Sequence, residues 1–238
     1  KEFQKIIIDG DPINPGQKLW GIVQGASFPD LREQSAKDMV GLGFEAFAIG
    51  GVAVGEPHKE MMLAVEAAIP HLPENSPKHL LGVGTPFDIV QAVARGCDTF
   101  DCVIPTREAR HGRLYVNAVC HSGNPSASEG YSESSSGSRL GGRDDSRKEG
   151  YTTINIQNEK HREDFTTIDN ACDCYLCLNH TKAYLRHLFA TGEPLAIRLA
   201  TMHNLKFYLN LMVKIRKAIE YDYFGEMLKD YKEYPVSS

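Results

Sequence analysis

Two clusters of residue types could do chemistry. The first lies in "FDCVIPTREARHGR", residues 100–113, where Asp101 sits in an apolar run and Arg107, Arg110 and Arg113 follow it. An ionised carboxylate is costly to bury, so an Asp in such a run implies a partner or a task. Carboxylates serve as nucleophiles or as ion-pair partners, and arginines pair phosphates and carboxylates in a fork. The plainer reading pairs Asp101 with a nearby Arg, or uses it to cap a turn. The second cluster is "CDCYLC", with Cys172, Cys174 and Cys177 within six residues. Three thiols this close point to a metal before a disulfide. A structural zinc takes four donors in a tetrahedron, so a fourth ligand is needed. His203 in "TMHNLKF" could return to close the site, and His180 and His187 are nearer rivals.

These residues must be positioned by a scaffold, and residues 18–105 alternate between two kinds of segment. "KLWGIVQG", "AFAIGG", "HLLGVG" and "TFDCVIP" are short, continuously apolar runs. That character fits parallel strands covered on both faces. The intervals predict helices. Asp30 with Glu33 forms a start like a capping box, and Gly41 and Gly43 close that helix. Pro57 is placed as a first helical residue ahead of Met61, Met62, Val65 and Ile69. Thr85, Pro86 and Asp88 open a third helix, with Ile89, Val90 and Val93 inward and Gly96 as its stop. Four strands with three crossover helices make half of an eight-stranded β/α barrel, or part of an open doubly wound sheet.

Residues 119–150 are Ser- and Gly-rich and nearly free of large apolar side chains. They read as a disordered insertion, because they bury too little surface to offset ordering. After them come a β-like piece, "YTTINI", and two or three helices. "HTKAYLRHLFATG" stops at Gly192. The last long helix carries Leu205, Leu209, Met212, Ile215 and Ile219 at helical spacing.

The chain has 238 residues, 42% hydrophobic, enough for one sizeable core or a core with a small appendage. Its net charge of −5 excludes a bulk polyanion binder, so any nucleic-acid contact must use a local basic patch. No apolar run approaches a membrane span, and no signal peptide opens the chain. Six cysteines without an export signal fit a reducing cytoplasm. Opening on Lys1 instead of Met points to a cut or incomplete reading frame.

Taken in order, "LWGIVQGA", "AFAIGGVAVGE", "HLLGVGTP", "ARGCDTFDCVIPTREARHGR", "CDCYLC" and "MHNLKFY" resemble the tRNA-guanine transglycosylases, the bacterial type most closely. The match covers nearly the whole chain apart from its start and the Ser/Gly segment. The resemblance implies part of a TIM barrel, the second half of a (β/α)8 fold, over residues 1–118. It implies a zinc-binding helical subdomain over 151–238. It also implies exchange of the wobble guanine of tRNA for a 7-deazaguanine in the queuosine pathway. The expected partners are a tRNA with G at the wobble position and guanine or 7-aminomethyl-7-deazaguanine.

Residue by residue, the resemblance makes Asp101 the nucleophile that forms a covalent aspartyl-RNA intermediate. Gln24 binds the base, and the stretch Gly51, Val52 and Ala53 reads its edge through the backbone. Leu81 stacks on it. Arg107 and Arg110 hold flanking nucleotides. Cys172, Cys174, Cys177 and His203 hold one structural zinc. Val52 stands where the family more often has Leu, and Val54 is the residue type of the bacterial enzymes. Two departures stand out. The Ser/Gly segment lengthens the path from Asp101 to Cys172, and the family's N-terminal half-barrel, with its second catalytic aspartate, is missing. The resemblance implies a homodimer, and the departure adds the missing N-terminal half as an alternative partner. The competing readings are a non-catalytic zinc- and tRNA-binding accessory subunit and an unrelated α/β enzyme with a zinc knuckle.

Overall fold

The computed structural model describes residues 19–52, 57–117 and 150–231. The first part is a four-stranded sheet of β1 (Trp20–Val23), β2 (Ala46–Ile49), β3 (Lys78–Leu80) and β4 (Thr99–Phe100). All neighbours are parallel, and the strand order follows the chain without reversal. The crossovers are α1 (Pro29–Gly41), α2 (His58–Ala68) and α3 (Pro86–Val93). Parallel neighbours need such crossovers because the chain must return to the same end of the sheet. Val23, Phe47, Ile49 and Leu80 pack with Met61, Met62 and Val65 of α2 in one core.

The helix starts partly differ from expectation. Asp30 and Glu33 do not cap α1. Phe28 occupies the N-cap without a side-chain hydrogen bond and Pro29 follows it. Proline at the first helical position brings no N–H of its own, so one of the unpaired donors of the first turn is absent. Glu33 bonds Lys37 one turn on instead. Pro57 is the N-cap of α2 and not its first helical residue, so the helix begins at His58, one residue later than expected. At α3 the capping box is present: Thr85 Oγ1 accepts from Asp88 N–H, and Asp88 Oδ2 accepts from Thr85 N–H.

After β4 come α4 (Ile104–Arg110) and β5 (Arg113–Asn117), which pairs antiparallel with β6 (Tyr151–Asn155). The Ser/Gly segment falls between these two strands and, apart from Gly150, outside the described residues. Then follow α5 (Tyr175–Asn179), α6 (Lys182–Ala190), the 27-residue α7 (Pro194–Glu220) and α8 (Phe224–Lys229). None of the described helices is long and apolar enough to cross a membrane.

The core stripe of α7 is not the one its spacing predicted. Leu205, Leu209 and Ile219 are exposed, and of that set only Ile215 is fully buried. The buried side carries Leu199, Ala200, His203, Asn204, Phe207, Tyr208, Leu211, Ile215 and Ala218. Polar anchors set the rotation. Asn204 Oδ1 accepts from Tyr115 N–H, and its amide donates to Pro105 O and Arg113 O. Buried polar groups must be paired, so these bonds outrank a second apolar stripe. On the buried side, Phe207, Tyr208, Leu211 and Ile215 pack with Ile89 and Val90 of α3, joining the two parts of the molecule.

Candidate functional site

The sheet register assembles the first site. Ile22, Ala48, His79 and Thr99 face one another across the four strands. Two residues farther along, on the same face by the two-residue period of a strand, stand Gln24, Gly50, Leu81 and Asp101. One residue from each strand thus meets at the C-terminal end of the parallel sheet, where open α/β sheets and barrels hold ligands. Gly50 lets this row close up. A β-carbon there would lie 2.7 Å from Gln24 Nε2 and 3.3 Å from Leu81 Cδ1. Gly51 has φ +64° and lies under Gln24 Oε1, so a side chain there would be strained and would clash. Val52 turns its side chain into the core. Ala53 and Val54 lie outside the described residues.

Asp101 is not interior. Its side chain is 60% exposed, because the row lies on the sheet face away from α2. Its partner is not an arginine either. Asp101 Oδ1 accepts from Gly82 N–H at 2.9 Å and lies 3.0 Å from His79 Nε2, whose other ring nitrogen meets Thr99 Oγ1 at 2.8 Å. The Gly82 N–H holds the carboxyl below its ordinary range. Partial burial pulls the other way, and His79 adds to the lowering. The carboxylate is therefore ionised, oriented and accessible, as a nucleophile must be. Arg107 and Arg110 are exposed on α4, directly after Asp101 in the chain. Arg113 instead starts β5 and pairs with Glu108 at 3.2 Å.

The second site is closed. Cys172, Cys174, Cys177 and His203 are all buried, and their ligand atoms lie within 4.8 Å of one another. His203 Nδ1 is 3.8, 3.5 and 3.3 Å from the three sulfurs in chain order. A tetrahedron with metal–sulfur and metal–nitrogen bonds of about 2.3 and 2.0 Å has edges of roughly 3.5–3.8 Å, so the donor set fits a metal ion. His203 Nε2 faces Tyr115 O at 2.7 Å, which fixes the ring and leaves Nδ1 to the cluster. His180 stacks on Tyr184 and His187 is exposed, so neither is the fourth donor. All the described cysteines are free of disulfides.

Sequence reading missed His79, Gly82 and Arg32. The period of two was a usable signal for His79, which shares a face with Leu81 in "HLLG". Gly82 acts through its N–H, a group every residue but proline carries. Arg32 looked like any surface helix charge, yet it is fully buried.

Comparison with known proteins shows the family. The family model described as queuine tRNA-ribosyltransferase matches residues 2–235. A queuine tRNA-ribosyltransferase of Haemophilus ducreyi is 43% identical over 218 residues, 92% of this chain and 48% of that protein. Those of Vibrio parahaemolyticus and Lactococcus lactis subsp. cremoris are 42% and 43% identical, with 93% and 91% of this chain and 50% and 48% of theirs covered. The chain spans about half the length of the curated relatives it matches. With the motif order, the strand-tip row and the four-donor cluster all present, the chain belongs to the queuine tRNA-ribosyltransferase family.

Proposed function

We propose that this chain carries the nucleophile, base-binding row and zinc site of a cytoplasmic tRNA-guanine transglycosylase. The reaction exchanges the wobble guanine of tRNA for guanine or 7-aminomethyl-7-deazaguanine. The observation that carries the reading is Asp101: ionised, exposed, and held by Gly82 and His79 at the end of the row that includes Gln24 and Leu81. Both bonds engage Oδ1, which leaves Oδ2 for the ribose. Oδ2 attacks C1′ of the wobble nucleotide as the C1′–N9 bond breaks, and the electron pair leaves with the guanine. The departing guanine takes a proton at N9 from water, the incoming base gives up its own proton from the corresponding nitrogen as that nitrogen attacks C1′, and Asp101 is released with the configuration restored. An anticodon-loop base is unpaired, so its extrusion is cheap.

Gln24, the backbone at Gly51, Val52 and Ala53, and the Leu81 side chain receive the base. Arg107 and Arg110 hold the flanking phosphates and nucleotides. Cys172, Cys174, Cys177 and His203 would hold zinc. A closed four-ligand zinc is structural and supplies folding energy, not chemistry. The parallel strands in unreversed order support the second half of a barrel, completed by a second copy or by an N-terminal half.

A second reading is a non-catalytic zinc- and tRNA-binding accessory subunit. It is favoured by the strand-tip row, which holds a single carboxylate, whereas glycosidic cleavage ordinarily draws on two. Incorporation of labelled guanine into a tRNA with G at the wobble position separates the readings. The chain incorporates the label and the Asp101→Asn variant falls by about 10³-fold or more if the first holds. Zinc-loaded chain that binds the tRNA without incorporation, alone or with an N-terminal half supplied, gives the second.

A further inference from the structure

Arg32, on the first turn of α1, is fully buried. Its guanidinium does not reach for solvent. Nε donates to Ala26 O at 2.7 Å, Nη1 to Gly50 O at 2.7 Å and Val23 O at 3.4 Å, and Nη2 to Gly51 O at 2.9 Å. One permanently charged fork thus collects carbonyls from the ends of two neighbouring strands and from the turn after β1. The backbone it holds is unusual: Ala26 has φ +48° and Gly51 φ +64°. Left-handed backbone persists only where the surroundings fix it, for alanine above all.

The direction of these carbonyls has a consequence. In a trans peptide the C=O and the following N–H point opposite ways. Drawing Gly50 O and Gly51 O onto Arg32 turns the N–H groups of Gly51 and Val52 away from it. Successive N–H groups flanking a left-handed residue form a small concavity that takes acceptor atoms. The Gln24 amide lies beside it, with Oε1 2.6 Å from where a β-carbon of Gly51 would sit.

We propose that Arg32 is a positioning residue for base selection: it sets the two peptide planes so that the Gly51 and Val52 N–H groups select a purine with an oxygen at C6. The proposal rests on the base-binding reading above and adds the device that enforces it. Arg32 touches no part of the base. A lysine at this position keeps the charge and the stem, but a single ammonium cannot splay across the same carbonyls.

Equilibrium binding of guanine and of 2-aminopurine, which lacks the C6 oxygen, to the full chain tests it. The unsubstituted chain should prefer guanine. Arg32→Lys should lose about tenfold in guanine affinity, the weight of one well-made hydrogen bond, and less than about twofold for 2-aminopurine. Equal weakening of both ligands would reveal a general structural role and overturn the proposal, as would an intact preference. Should Arg32→Lys fail to fold, the amide resonances of Gly51 and Val52 in the unsubstituted chain decide. Guanine should shift them and 2-aminopurine should not, and an equal response to both overturns the proposal. Absence of guanine binding by the unsubstituted chain would remove the base-binding reading, and the proposal with it. That failure is distinguishable because it precedes any substitution.

Discussion

The two sites of this molecule are built by opposite means. The four-donor cluster takes three of its donors from residues 172–177, buries all four, and is made of side chains. The strand-tip row takes one residue from each of four strands between Gln24 and Asp101, leaves its carboxylate 60% exposed, and leans on backbone groups at Gly50, Gly51 and Gly82. A closed site is specified by which residues are present. An open one is specified by where the backbone puts them. The closed site should therefore fail all at once, and the open one piece by piece.

Cys177→Ser is the strongest challenge to the closed half. Metal content should drop to near zero, and the packing around Leu176, Leu185 and Leu199 should go with it. Structural zinc contributes on the order of 10 kcal/mol in small zinc units, so unfolding followed by near-ultraviolet circular dichroism should shift far toward lower denaturant. Retention of full metal content and stability would break the contrast. Gln24→Ala, by comparison, removes an exposed side chain and should leave the unfolding midpoint in place.

Next in size is Leu211→Ala on the buried side of α7. Leu211 is 2% exposed, so the loss should be about 2–5 kcal/mol in denaturant unfolding. Leu209→Ala, 64% exposed on the other side, should change stability by less than about 0.5 kcal/mol. A reversed order would mean that α7 is rotated.

His79 sharpens the open half. His79→Phe should reduce guanine incorporation about tenfold and raise the midpoint of the Asp101 carboxyl carbon titration in nuclear magnetic resonance, and His79→Gln should recover part of both. The sign follows from the lowered folded-state value of Asp101. Its bonds contribute stability above the unfolded carboxylate range near pH 4, and that contribution is lost as pH falls through the lowered value. A titration midpoint at or above the ordinary aspartate value in the unsubstituted chain would contradict the geometry. The smallest effect belongs to Thr85→Ala, which removes one side of the α3 capping box and should cost about 1 kcal/mol in thermal unfolding.

The same contrast explains what could be read from sequence. Cys172, Cys174 and Cys177 point to a metal by type and spacing, but spacing left His180, His187 and His203 as fourth donors, and only the fold brings His203 to the three sulfurs. The four parallel strands were legible because continuous apolar runs ended in Gly or Pro. Asp101 stood out in the sequence as a carboxylate in an apolar run, but its partner did not, because His79 is twenty-two residues away and meets it only through register. The α7 stripe was misjudged because both sides of that helix are apolar. Only the bonds of Asn204 and His203 to β5 choose between them. β5 itself went unread, since "RLYVN" becomes a strand by pairing with β6 across the long Ser/Gly segment.

The 27-residue α7 is about 40 Å long. Along that length it gives one side chain to the four-donor cluster, clamps Pro105 O just past Asp101 through Asn204, and reaches Gly84 O beyond β3 through Tyr208. In mechanical terms it is a common shaft. A turn at the four-donor end is carried along the helix to the loops on either side of Asp101, because one helix holds both. Loss of an ion held by the four donors would therefore reach Asp101 as well as the packing around the cluster.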